Sequence, residues 1–144
     1  MVCTFIGHHN CPDSIKSDLL NAIENRIALG TELFYVGTHG NFDAMALSCL
    51  RSLKREHPSV RYAVVLAYLP ANQNAFLPGE TVFPEGIENV PRRFAIHYRN
   101  RWMIERADTV ICYCSRLWGG TAKGVQTAKK TGATVINLFD RAGG

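Results

Sequence analysis

Three short stretches carry most of the residues that could do chemistry. They are Gly7-His8-His9, then Gly37-Thr38-His39-Gly40-Asn41-Phe42-Asp43, then Cys114-Ser115 followed by Trp118-Gly119-Gly120-Thr121. Glycine lets a backbone approach a ligand closely and take positive φ, so turns of this kind suit a phosphate-bearing molecule. The third stretch runs into a helical pattern, whose first N–H groups have no partner within the helix and can hold a phosphate. Thr121 adds a hydroxyl at that terminus. The stretch has neither the GK[ST] spacing of a Walker loop nor the GxGxxG fingerprint, and two glycines alone also make ordinary tight turns.

Each candidate side chain has two readings. Asp43 caps its helix, or accepts ribose hydroxyls. His8 and His39 are hydrogen-bonded turn histidines, or they donate to phosphate or act as acid and base. Trp118 packs against the fold, or offers a platform on which a base stacks. Arg99 lies on the surface with Arg101, or reaches a phosphate in a charge-assisted pair.

The elements that would position them read as alternating strands and helices. Apolar runs at Val2–Ile6, Glu32–Val36, Tyr62–Leu69, Thr109–Cys114 and Thr134–Phe139 are the expected strands. Helical spacing appears at Ser14–Leu29, Asp43–Arg55, Arg93–Arg106 and Ala122–Lys130. Continuously apolar strands alternating with helices imply a parallel sheet covered on both faces. The expected architecture is α/β, a Rossmann-like three-layer sandwich with five parallel strands in the order 3-2-1-4-5. Its ligand crevice would lie between strands one and four, at their carboxyl ends. Residues 70–91, rich in proline and asparagine, have no clear period and read as a functional flap or mobile loop.

A length of 144 residues suits one domain, residues 1–144, with a core large enough to need no staples. The net charge of +4 mildly favours anionic ligands. The basic residues are scattered, and no basic and aromatic stripe is visible, which weighs against a nucleic-acid partner. No stretch is apolar enough to span a membrane. The first residues read directly as a core strand, so no leader is expected and the cytosol is the expected compartment. The five cysteines are odd in number and none forms a CxxC pair. Cys112 and Cys114 share a strand face, but the expectation is core thiols, with no metal site and no required cofactor.

At these residues the chain resembles the SLOG superfamily, and within it the small YpsA-like bacterial proteins. The resemblance rests on Cys3-x-Phe5-x-Gly7-His8, Gly37-x-x-Gly40-x-Phe42-Asp43, Arg99-Asn100-x-x-Met103-Ile104-x-x-Ala107-Asp108 and Gly119-Gly120-Thr121. It implies a Rossmann-like fold that binds nucleotides or nucleotide-derived ligands such as ADP-ribose or NAD-related molecules, in a sensor or regulatory module that self-associates. The superfamily also contains the lonely-guy phosphoribohydrolases and the DNA-processing protein A family, which binds single-stranded DNA. The hydrolases carry an arginine four residues before a methionine, matched by Arg99 and Met103. They also carry GGxGTxxE, where this chain has Gly119-Gly120-Thr121-Ala122-Lys123-Gly124-Val125-Gln126. Gln126 cannot ionise, so N-glycoside hydrolysis would need Asp43 or His39 in place of the glutamate. The YpsA-like pattern also has arginine where this chain has His9.

Overall fold

A computed structural model describes residues 1–142. The first strand, β1 (Val2–Gly7), buries Cys3, Thr4, Phe5 and Ile6 in succession. Side chains alternate along a strand, so two of these face each side of the sheet, and both sides must be covered. Cys3 and Phe5 join one apolar cluster with Ile15, Leu19 and Ile23 and with Phe42, Ala46 and Leu50. These come from α1 (Lys16–Ala28), the turn before it, and α2 (Gly40–Glu56). Ile6 joins a second cluster with Ile104 of α3 (Ala95–Arg106) and with Val125 and Ala128 of α4 (Gly120–Lys130). The result is a Rossmann-like α/β fold, a parallel sheet with helices on both faces.

The remaining strands are β2 (Leu33–Val36), β3 (Arg61–Val65), β4 (Thr81–Val82), β5 (Thr109–Tyr113) and β6 (Thr134–Asn137). All pairings are parallel, and the order is β4-β3-β2-β1-β5-β6. This corrects the expected five strands in the order 3-2-1-4-5. The five expected strands are present in that relative arrangement, and β4 extends the sheet beyond β3. Two residues cannot display a period, so nothing local marks β4. It exists because Val64 and Val65 pair with Thr81 and Val82. The Val64 N–H donates to the Glu80 carbonyl at 2.8 Å, and the Leu66 N–H to the Val82 carbonyl at 2.9 Å.

The segment expected as a flap is therefore pinned at its middle. Glu80 is buried, and its carboxylate accepts from Arg51 Nε at 2.9 Å, Tyr62 Oη at 2.6 Å and the Leu77 N–H at 3.1 Å. Burial by itself raises the Glu80 pKa, but the bonds from Arg51, Tyr62 and Leu77 outweigh it and hold the group down at about 2.

Several boundaries also differ from the sequence reading, and the third strand, expected to run to Leu69, ends at Val65. The last strand ends at Asn137, and a short α5 (Leu138–Ala142) follows. Asn137 Oδ1 accepts from the N–H groups of Cys114 and Phe139, both at 3.1 Å, so its amide stops the strand and starts the helix. Helix α2 begins at Gly40 rather than Asp43, for a reason that belongs to the site.

All five cysteines are free, and Cys3, Cys11, Cys49 and Cys112 are buried. Burial pushes the Cys112 thiol up to about 12. Among the described residues no group of three His, Cys, Asp or Glu side chains is placed to hold a metal, and no helix is long and apolar enough to cross a membrane.

Candidate functional site

Strands β1 and β5 are neighbours, yet the chain leaves them toward opposite faces of the sheet. From β1 it passes to α1 on one side, and from β5 to α4 on the other. The loops diverge and leave a crevice at the carboxyl ends, the place where open α/β sheets bind ligands. A cleft of about 240 Å³ lies there. Phe5, Ile6 and Gly7 of β1 form one wall with the following His9. His39 and Asp43 come from the start of α2. Ile96, His97, Arg99 and Asn100 come from the first turns of α3, and Gly120 and Thr121 open α4.

The α4 terminus is bare. Gly119, before it, has φ +94°, and its Cβ position would meet open space, so backbone conformation rather than crowding calls for glycine. No side chain caps this helix and its first turn holds no acidic residue. The partial positive charge of its free N–H groups is therefore unopposed by the helix itself.

Arg99 enters from α3 and is only 1 % exposed. Its Nη1 donates to the Val65 carbonyl at 3.0 Å and to Thr38 Oγ1 at 3.1 Å, and its Nε donates to Asn100 Oδ1 at 2.8 Å. Nη2 makes no hydrogen bond among the described residues, and no carboxylate lies within ion-pair distance of the group. Burial lowers its pKa, against the opposing charge of Asp43, but an arginine so held stays cationic. Gly37 makes this arrangement possible. A Cβ there would stand 2.8 Å from Asp43 Oδ2 and 3.0 Å from Arg99 Cζ.

Asp43 is 8 % exposed, and its Oδ2 accepts from the His39 N–H at 2.9 Å. The carboxylate thus reaches back one turn and satisfies a free N–H at the helix entrance, so α2 starts at Gly40 with Asp43 inside it. Burial raises the Asp43 pKa to about 6, although the bond from His39 and the charge of Arg99 both pull it down. His39 moves the other way. Burial, then the neighbouring His9 and Arg99, lower its pKa and so favour the neutral ring. The His9 and His39 rings lie 5.1 Å apart at the cleft.

Of the other candidate residues Gly7 lines the cleft, and His8, Thr38, Gly40, Ser115 and Trp118 lie outside its lining. His8 is buried, and its Nε2 accepts from the Ser115 N–H at 2.9 Å. That bond requires Nε2 to be unprotonated, and burial together with the charge of Arg116 lowers the pKa accordingly. His8 and Ser115 thus tie the β1 loop to the β5 loop. Thr38 serves Arg99. Gly40 has φ +85°, and a Cβ there would lie 2.6 Å from His9 Cα. Gly7 lies so close under α2 that a Cβ would sit 2.2 Å from the Phe42 ring. Trp118 is 68 % exposed and stands outside the cleft, with the Arg116 guanidinium 4.6 Å from its ring. Gln126 is exposed and does not line the cleft either.

Sequence reasoning missed His9, His97 and Asn100 as lining residues and Asn41 as a clamp. Asn41 Nδ2 donates to the Cys11 carbonyl at 2.6 Å while its Oδ1 accepts the Cys11 N–H at 2.7 Å. This fixes the β1 loop, and with it His9, against the start of α2. His97 and Asn100 stand two residues before and one after Arg99, positions that do not share its helical face, so helical spacing from Arg99 gave no signal for them.

The elevated Asp43 pKa makes a prediction. Its ionised form is disfavoured in the fold, so its contribution to stability is fully present below its unfolded value near 4 and is lost as pH rises through about 6. Asp43→Asn keeps an acceptor for the His39 N–H without the charge. It should stabilise the chain by about 1–3 kcal/mol at pH 8. Urea melts of both proteins at pH 8 and pH 4 check this, since the gain should vanish at the lower pH.

No family model matches this chain, and no curated protein matches it.

Proposed function

We propose that the cleft binds a nucleotide or nucleotide-derived molecule, with a phosphate between the α4 N-terminus and Arg99. The observation that carries this reading is Arg99 itself. A buried guanidinium with a free Nη2, in the same cleft as an uncapped helix start, is a paired arrangement for an anion. Its buried position costs desolvation, which an incoming phosphate would offset. Asp43 suits sugar hydroxyls, because a carboxylate repels a second anion and accepts from O–H groups. About 240 Å³ is less than the roughly 300–1,000 Å³ of sites that enclose a drug-sized ligand. The space fits a phosphate and a pentose, with the base reaching the rim at His9 and His39. The resemblance to the SLOG superfamily points the same way, and a sensor or regulatory module that self-associates in the cytoplasm belongs to the same reading. Thermal melts with nucleoside monophosphates, diphosphates, ADP-ribose and NAD test it. At least one should raise the midpoint, with adenosine as the unphosphorylated control. No shift with any phosphate-bearing compound at millimolar concentration would end the proposal.

One observation favours a second reading, N-glycoside hydrolysis. A cleft carboxylate held near pH 6 has the acid–base character that such chemistry uses. Asp43 would then take the role that Gln126 cannot. Free base or nicotinamide released from a bound nucleotide by the wild type, and lost in Asp43→Asn, would favour it over binding alone.

A further inference from the structure

Three of the chain's five histidines line this one cleft. They arrive from three different elements: His9 from the loop after β1, His39 from the entrance of α2, and His97 from the first turn of α3. All three residues are exposed, so their rings are open to protons from solvent. They share the lining with Arg99, which stays cationic, and with Asp43, the one carboxylate there. Helix α4 adds only its bare N-terminus. The remaining titratable groups around the cleft are engaged elsewhere. The Cys11 thiol donates to the His8 carbonyl at 3.2 Å, and burial pushes it up to about 11. The Tyr68 hydroxyl donates to the Arg92 carbonyl at 2.8 Å. Arg116 faces His8, whose Nε2 is held by the Ser115 N–H.

The charge of the lining depends on protons. When Asp43 is ionised it offsets Arg99, and an incoming anion finds little beyond the α4 terminus. When Asp43 is protonated that offset ends, and each imidazole that gains a proton adds a positive charge. Histidine is the side chain whose charge ordinarily changes between about pH 5 and 8. In the empty cleft these charges oppose one another. The His9 and His39 rings are 5.1 Å apart with Arg99 close by, so a proton on one ring disfavours a proton on the next. An anion seated among them reverses the sign. It pairs with each imidazolium and disfavours the ionised form of Asp43. Such coupling is reciprocal, so protons that the anion attracts must strengthen the anion's own binding by the same factor.

We propose that the cleft is a proton-linked anion site, in which His9, His39 and His97 gain protons as the phosphate-bearing ligand enters, so that the ligand is held in mild acid and released as the pH rises above neutral. A permanent anion trap would be built from arginine and lysine, and Arg99 is the one such side chain in the lining. The linkage has a definite sign because acid acts on every group in one direction. The histidines gain positive charge, and Asp43, held at about 6, loses its negative charge. The inference rests on the cleft reading for its anion and adds what controls occupancy.

The test is calorimetric titration of the full chain at pH 5.5 and pH 8, with inorganic sulfate and ADP-ribose as probes. Both probes keep a constant charge over this range, so a pH dependence belongs to the protein. Binding should be about tenfold tighter at pH 5.5 than at pH 8. Between these values the heat should vary with the ionisation enthalpy of the buffer, which reads the protons taken up. His9→Gln, His39→Gln and His97→Gln should each reduce the affinity ratio between the two pH values by about two- to threefold, as an exposed charge pair contributes. Asp43→Asn should bind sulfate more tightly than the wild type at pH 8 and about equally at pH 5.5. His57→Gln, at the far end of α2, should leave the ratio unchanged. The three cleft histidines are exposed, so unchanged melting temperatures verify folding of their variants. Equal ADP-ribose affinity at the two pH values overturns the linkage and leaves the cleft reading standing. So does a ratio that survives in full when all three histidines are replaced together. Sulfate bound with the expected pH dependence, while ADP-ribose and the nucleotides of the melting panel fail at both pH values, supports the linkage and removes the nucleotide reading instead. No binding of sulfate, ADP-ribose or any of those nucleotides at pH 5.5 overturns both.

Discussion

Arg99→Met weakens binding of the phosphate-bearing ligand at least thirtyfold. The guanidinium is 1 % exposed, with Nη2 unbonded and the residue lining the cleft. An anion docked there forms a desolvated charge pair, and removing one partner of such a pair costs about 2–5 kcal/mol. Methionine roughly keeps the volume and removes the charge. The stability change should be the smaller effect, because two terms oppose. The Val65 carbonyl loses its donor, at about 1–3 kcal/mol, but a buried charge is also removed. Arg99→Lys makes the comparison sharper. A lysine retains charge without the planar fork, so it cannot serve Thr38, Val65 and an incoming phosphate together. It should recover a minor part of the affinity. Calorimetric titration of the three proteins with the ligand found in the thermal melts checks this. Equal affinities in wild type and Arg99→Met would remove the guanidinium from the site.

Glu80→Ala destabilises the chain by about 3 kcal/mol, with no direct effect on the cleft. Its carboxylate gathers Arg51, Tyr62 and Leu77, and its side chain is 2 % exposed. Breaking a buried ion pair from one side costs about 3–5 kcal/mol, and the lower figure applies because Arg51 keeps a third of its side chain in solvent. For a chain of this size that lowers the melting midpoint by roughly 6–12 °C. The pH dependence identifies the cause. Glu80 is held at about 2, so its stabilisation is complete above the ordinary glutamate range and is lost as pH falls from about 4.5 through 2. The wild type should lose stability there and Glu80→Ala should lose less. Asp43 contributes with the opposite sign over a higher range, so the two variants separate the acid profile into its parts. Equal melting of wild type and Glu80→Ala at neutral pH would mean that β4 is not held by this carboxylate.

Much of the site was legible because its residues are constrained locally. Gly119 needs its positive φ whatever surrounds it, and it stands directly before a helical pattern. Gly37 and Gly40 flank a short polar turn between a strand and a helix. Arg99 was readable as a candidate, but its burial was not. Nothing about its neighbours in sequence says that Val65 and Thr38 would fold around it. The Glu80 anchor was invisible for the same reason. Its partners lie 29, 18 and 3 residues away, and the first two meet it only once α2, β3 and the edge segment are packed. His8 shows the converse. Its place in a glycine turn suggested chemistry, and the structure uses it to join two loops through Ser115.

By itself the sequence determined the alternation of apolar runs and helical periods, and from that a parallel sheet with helices on both faces. That order follows from near-neighbour physics, since each run's period is set by the residues within it. Only the tertiary structure decided that a two-residue strand would extend the sheet beyond β3, because its two residues pair with residues seventeen positions earlier and carry no period of their own. It alone also decided that Arg99 and the start of α4 would share one cleft. That juxtaposition arises where β1 and β5 pair while their chains depart to opposite faces, and contacts across such distances leave no trace in local spacing.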